Sequence, residues 1–157
     1  MDRRTCREGA GHNAAMTDAT TPDLVQVVAA ALVDDLRRPT CVLAGHRRYR
    51  PIGWELPGGK LEPGESPLAA LHRELAEELG IAATIGDELV GPLPGSGWRL
   101  SERHVMRVWF AQVADGAPVP LEAHDELRWL AREQLYDVDW LPADYPIIEA
   151  LAERLRQ

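Results

Sequence analysis

Gly58–Ile81, GGKLEPGESPLAALHRELAEELGI, is the stretch whose reading decides the fold. A glycine pair opens it, and a helix with legible ends follows. Ser66 suits the N-cap, Pro67 the first helical position, and Gly80 the residue just past the helix end. At ~100° per residue, Leu68, Leu71, Leu75 and Leu79 fall into one stripe, while Glu74, Glu77 and Glu78 fall within an arc of roughly 100° beside it. The spacing predicts a helix that packs by one face and is acidic on the next.

Three carboxylates at such spacing repel one another, and helix formation gives no reason to group them. A positive partner is expected there. Hard divalent cations take oxygen ligands, and Mg²⁺ in particular is held by a few carboxylates together with waters and substrate phosphates. A phosphate-handling site follows. Ahead of the helix, Gly53–Lys60, GWELPGGK, reads as a short extended stretch turning at Pro57-Gly58-Gly59, where glycines allow close backbone approach to a ligand.

These residues resemble the signature box of the Nudix family, which Gly59, Glu65, Arg73, Glu74, Leu75, Glu77, Glu78, Gly80 and Ile81 match without departure. So many specified positions at fixed spacing make a far more specific signal than a lone glycine fingerprint. The competing reading is a solvated acidic helix face. The resemblance implies an α/β Nudix fold, an α/β/α sandwich with a mixed β-sheet, and a hydrolase of nucleoside diphosphates linked to another group. It makes Glu74, Glu77 and Glu78 metal ligands, with the Gly58 carbonyl beside them and Mg²⁺ as the cofactor, Mn²⁺ being a substitute. Glu74 is the general base in some members, Arg73 is placed to orient the glutamates, and Glu65 is a supporting partner.

At 157 residues the chain suits one domain, and its apolar and charged fractions, 45% and 27%, are those of a globular protein. No apolar run is long enough to suggest a membrane span. A formal charge of −8 argues against a general nucleic-acid binder, which needs a basic surface. A small nucleotide remains open as partner, provided metal and a few arginines neutralise it locally. Cys6 and Cys41 lack any zinc or disulfide spacing, and Cys41 reads as core. Residues 1–21 lack the apolar region of a secretory signal and read as a disordered tail of a cytoplasmic protein, with Met16 an alternative start; 22–157 form the domain. Monomer and homodimer both stay open.

Along the chain, the Val-rich run Leu24–Val33 favours a strand, and Thr40–Gly45 supplies a returning partner, predicting a hairpin across DDLRRP. His46, Arg47, Arg48 and Arg50 then form a basic cluster. By resemblance Arg47, ending the second strand, contacts phosphates, and Lys60 helps to place them. Thr84–Gly91 and Trp98–Val113 read as strands on either side of the PLPGSG loop, the second lying inside a sheet. Leu127–Leu130 predicts a closing strand and Arg132–Leu135 a helix start. Ile147, Ile148, Leu151 and Leu155 share one face of a final helix.

WELPGGK and DVDWLPAD are most similar to MutT-type nucleoside triphosphate diphosphatases within the family. In that group the position of Asp144 faces the base. An ionised carboxylate there accepts from cytosine N4, or from N1 and N2 of an oxidised guanine. Leu56 is either an apolar contact for the base or plain core. The expected substrate is a (deoxy)nucleoside triphosphate of the 8-oxo-dGTP or CTP type, cleaved to the monophosphate and pyrophosphate. ADP-ribose and dinucleoside polyphosphates are alternatives, although the Pro or Tyr that marks those groups is absent from Gly95-Ser96-Gly97. A nucleotide sensor without turnover is a further one. The loop Glu122-Ala123-His124-Asp125-Glu126 departs from the related pattern, with alanine at the acidic position before the histidine. Glu122, Asp125 or Glu126 is left to substitute as ligand or base, or to be a solvated carboxylate.

Overall fold

The computed structural model describes residues 23–157; the expected tail over 1–21, with Cys6 and Met16, lies outside them. Nine residues of β1 (Val25–Val33) run through the middle of an eight-stranded sheet. Around it are β2 (Cys41–Arg47), β3 (Trp54–Glu55), β4 (Gly58–Lys60), β5 (Ala82–Leu89), β6 (Trp98–Arg99), β7 (His104–Asp115) and β8 (His124–Ala131). β1 pairs in parallel with β7 along its whole length, Val25 opposite His104 and Val33 opposite Gln112. All other strand pairings are antiparallel, so the sheet is mixed.

Helix α1 (Pro67–Leu79) covers one face and α2 (Tyr145–Ala152) the other. Alternation along β1 supplies both cores: Val28, Ala30 and Leu32 meet Leu71, Leu75 and Leu79 of α1. Ala29, Ala31 and Val33 share the opposite core with Ile147, Ile148, Leu151 and Leu155. A strand buried on both faces has no reason to alternate polar with apolar, which is why this one reads as a continuous hydrophobic run. The α/β/α sandwich is as expected.

The helix ends fall where the sequence puts them. Ser66 Oγ accepts the Ala69 amide at 3.2 Å, and Gly80 adopts φ 68°, a left-handed conformation that glycine enters without a Cβ penalty. Leu68 departs from the predicted stripe: it sits in the first turn and is 43% exposed, the core on that side being filled by Ala70 and Leu71. Among the described residues no helix is long and apolar enough to cross a membrane.

Three further expectations are corrected. The β1–β2 hairpin is reduced to the pair Val33 and Val42, because β4 occupies the first half of that edge of β1, from Val27 opposite Lys60 to Ala29 opposite Gly58. β2 takes β8 as its long partner instead, Cys41 opposite Ala131 and Arg47 opposite His124. The helix start at Arg132 amounts to one 3₁₀ turn, Arg132–Gln134. Cys41 is half-buried at the strand end, its amide donating to Asp34 Oδ1, rather than core.

Candidate active site

The polar face of α1 is organised by one guanidinium. Arg73 Nε and Nη2 hold the two oxygens of Glu65 at 2.8 and 2.9 Å, side-on. Nη1 donates to Glu74 Oε1 at 3.0 Å and to Glu77 Oε2 at 3.2 Å, while Nη2 also reaches the Lys60 carbonyl at 3.1 Å. Arg73 thus ties the loop, the box glutamate and the helix into one lattice. The paired hydrogen bonds hold Glu65 down to about 2, well under the usual carboxylate range.

Glu74 and Glu78 lie against β4, Glu74 beside Gly59 and Glu78 beside Gly58. Glu78 is buried, and its Oε2 accepts the Gly58 amide at 3.0 Å. Burial, followed by the negative charge of Glu74, pushes its carboxyl up to about 8. Burial also raises Glu74, against the pull of Arg73. Gly59 makes room for this group: a Cβ there would lie 2.3 Å from Glu74 Oε1. Arg73 holds Glu65, Glu74 and Glu77, and the Gly58 amide holds Glu78; no three acidic or His/Cys side chains among the described residues converge as a ready-made cation site.

On the other side of Gly58 opens a cavity of about 380 Å³. Leu56, Leu100, Met106 and Leu141 give it apolar walls, and Glu55 and Asp144 are its carboxylates. Asp144 lies in the 3₁₀ turn Pro142–Asp144 that leads into α2 and is 5% exposed. Burial, then the charge of Glu55, drives its carboxyl up to about 7, with Arg47 pulling the other way. Leu56 is at once a wall of the cavity and a member of the core on the α2 side.

Arg47 stands where the two halves meet. Its Nη1 lies 3.3 Å from both oxygens of Glu55, and its Nε donates to the Pro51 carbonyl at 2.9 Å. The Lys60 side chain is exposed on β4, and its carbonyl rather than its ammonium enters the lattice. Of the expected loop Glu122–Glu126, only Glu122 and Ala123 form a turn; His124, Asp125 and Glu126 begin β8, and each has its own surroundings. Asp125 Oδ1 pairs with His46 Nδ1 at 2.7 Å, and Glu126 pairs with Arg128. Glu122 is exposed with φ 42°, and His124 is fully buried.

Glu55 escaped the sequence reading. The available signal was a lone carboxylate between Trp54 and Leu56, two residues that head into the core. Such a charge is rarely placed there without a partner.

A β1–β7 parallel pair inside a mixed sheet, with a glutamate-bearing helix entered from a glycine turn, defines the fold class; residues 24–151 match the NUDIX domain, and the chain belongs to that family. It is similar to a Mycobacterium tuberculosis protein carrying the provisional name 8-oxo-dGTP diphosphatase 2, with 39% identity over 133 residues, 82% of this chain and 89% of the relative. It is also similar to the CTP pyrophosphohydrolase of Escherichia coli, 38% identical over 99 residues, 62% of this chain and 69% of that one. The solution structure of the E. coli ORF135 protein superposes with a TM-score of 0.65 at 32% identity, covering 85% of this chain and 91% of the other.

Proposed function

We propose that the chain hydrolyses a (deoxy)nucleoside triphosphate to the monophosphate and pyrophosphate in a Mg²⁺-dependent reaction, preferring 8-oxo-dGTP-type or CTP-type substrates. The observation that carries this reading is the meeting of two unlike halves at Gly58, a carboxylate lattice and an apolar cavity with two carboxylates. A nucleoside triphosphate has the same two-part character, charged at one end and flat and largely apolar at the other. The names of the relatives, an 8-oxo-dGTP diphosphatase and a CTP pyrophosphohydrolase, support the substrate class.

The donor set fits a hard divalent cation. Glu74 and Glu78 are crowded carboxylates whose raised proton affinity is the strain that a bound cation relieves. Glu74, Glu77, Glu78 and the Gly58 carbonyl would hold Mg²⁺, with Mn²⁺ able to substitute, and the metal would neutralise charge on the phosphate oxygens. Arg73 keeps the glutamates oriented, releasing them partly as ligands bind. Glu74 takes the proton of the attacking water at Oε2, the oxygen that Arg73 does not hold. The water oxygen bonds to one phosphorus of the α–β anhydride, the bond from that phosphorus to the bridging oxygen breaks, and the departing phosphate takes the bonding electrons, giving monophosphate and pyrophosphate. Arg47 and Lys60 meet the phosphates by charge-assisted hydrogen bonds. Leu56 packs on the base, and Asp144 and Glu55 read its edge. Ionised, they accept from cytosine N4 or guanine N1 and N2; protonated, Asp144 also donates.

Incubating the purified chain with Mg²⁺ and a panel of normal and oxidised nucleotides tests the reading. Monophosphate and pyrophosphate should appear in equal amounts, fastest from an 8-oxo-dGTP-type or CTP-type substrate. Nucleotide binding with no product would instead make the chain a sensor.

A further inference from the structure

β2 lies between two strands: β8 follows one edge, and β3 takes the other at Gly45 and His46. His124 stands on β8 opposite Arg47, and Glu55 stands on β3 opposite Gly45. A whole strand separates them, roughly 9–10 Å from axis to axis at the usual strand spacing. Their side chains nevertheless meet, His124 Nε2 lying 3.1 Å from Glu55 Oε1.

The ring gets there by crossing β2 over Gly45. A Cβ at that position would come within 2.7 Å of His124 Cδ2 and 2.9 Å of Nε2. Glycine is therefore the residue type that leaves this window open. The ring is 0% exposed, and Nδ1 has no hydrogen-bond partner among the described residues. Burying an unpaired ring nitrogen is costly, and an apolar side chain of similar size would avoid the cost. Packing alone gives no reason for a histidine at 124. The contact with Glu55 does: a bare Nδ1 assigns the proton to Nε2, which is aimed at the carboxylate. Arg47 Nη1 grips the same carboxylate from a second side, and Glu55 forms the cavity wall together with Asp144.

We propose that His124 is a positioning residue for base recognition: it reaches through the window at Gly45, donates Nε2–H to Glu55, and fixes the orientation in which that carboxylate meets the nucleobase. It touches no substrate. The inference rests on the reading of the cavity as the base site.

The test compares kcat/KM for the best and worst nucleotides of the panel, a ratio that a general loss of folded enzyme leaves unchanged. His124→Leu and Gly45→Ala should each lower the ratio by roughly tenfold, the scale of one hydrogen bond to a charged group. His124→Gln, whose amide can donate to the same oxygen, should keep the ratio within about threefold. The Mg²⁺ concentration for half-maximal rate should stay where it is in the wild type. On Glu55→Ala, adding His124→Leu should lower the ratio no further, because the group being positioned is gone. Equal slowing of every nucleotide with an unchanged ratio, or additive losses in the double variant, would overturn the proposal. A wild-type chain that releases no pyrophosphate from any nucleotide sinks the proposed activity, and the contact is then decided by ¹⁵N spectra of the histidine rings in wild type and Glu55→Ala. An Nε2–H tautomer at His124 whose proton shifts in the variant supports the contact, and an Nδ1–H tautomer or no shift rejects it. The same spectra decide the matter if His124→Leu does not fold.

Discussion

The glutamate face of α1 and the cavity beside it share Gly58, and the acids that Arg73 pairs on the outer side, Glu65 and Glu77, are held by different means from Glu78 and Asp144, which burial governs. On α1 one guanidinium reaches Glu65, Glu74 and Glu77 within 3.2 Å, and the pairing keeps Glu65 ionised far below neutral pH. In the cavity Asp144 is governed by burial, which brings its carboxyl up to about 7. Pairing keeps charge ready for a cation; desolvation keeps a carboxyl poised between donating and accepting. The half proposed to handle phosphates and the half proposed to handle the base are thus separable by mutation.

The largest effect is expected on the α1 side. Glu77→Gln should lower turnover by about two to three orders of magnitude, since the proposed metal site would lose a charged ligand. Glu77 has a side chain 46% exposed, so thermal melting of the variant should match the wild type. Turnover like that of the wild type would remove Glu77 from the site. On the other side, Asp144→Asn should reorder the nucleotide panel by roughly tenfold in kcat/KM while leaving the Mg²⁺ requirement alone. An unchanged ranking would count against base reading at that position.

The pH dependence sharpens the contrast further. A carboxyl whose folded value is raised binds more protons in the folded chain than in the unfolded one, so stability is full below the ordinary carboxylate value and is lost as pH rises. For Asp144 the window runs from 3.8 to about 7, and for Glu78 from 4.5 to about 8. The metal-free protein should therefore melt lower at pH 8 than at pH 5, by a few kcal/mol of stability in order of magnitude. Asp144→Asn should flatten the part of that slope below pH 7, and saturating Mg²⁺ should flatten the part due to Glu78. Smallest of all, Ser66→Ala should cost about 1 kcal/mol through loss of the helix cap, with turnover per folded molecule unaltered.

How much of this was legible follows from the same contrast. The lattice occupies a single stretch, Lys60 to Glu78, and helical periodicity puts Glu74, Glu77 and Glu78 on one side. The cavity draws on β1, β3, the residues around Leu100 and the turn before α2, which only the folded chain brings together. Asp144 was reached through family resemblance. Glu55, in a two-residue strand with no period to read, was missed. The hairpin of β1 and β2 forms but is short, because β4, a later segment, claims the same edge, and adjacency in sequence carries no record of that competition. The meeting of His124 with Glu55 depends on a missing side chain at Gly45 in a third strand, a relation among three distant positions that no local pattern encodes.

The most direct measurement is a crystal structure of the chain with Mn²⁺ and a non-cleavable nucleoside triphosphate, using anomalous scattering to locate the metal. The account predicts metal bounded by Glu74, Glu77 and Glu78, phosphates running past Gly58 toward Arg47, and the base inside the cavity against Glu55 and Asp144. Metal bound elsewhere while Arg73 retains its glutamates, or a base lying outside the cavity, would contradict it.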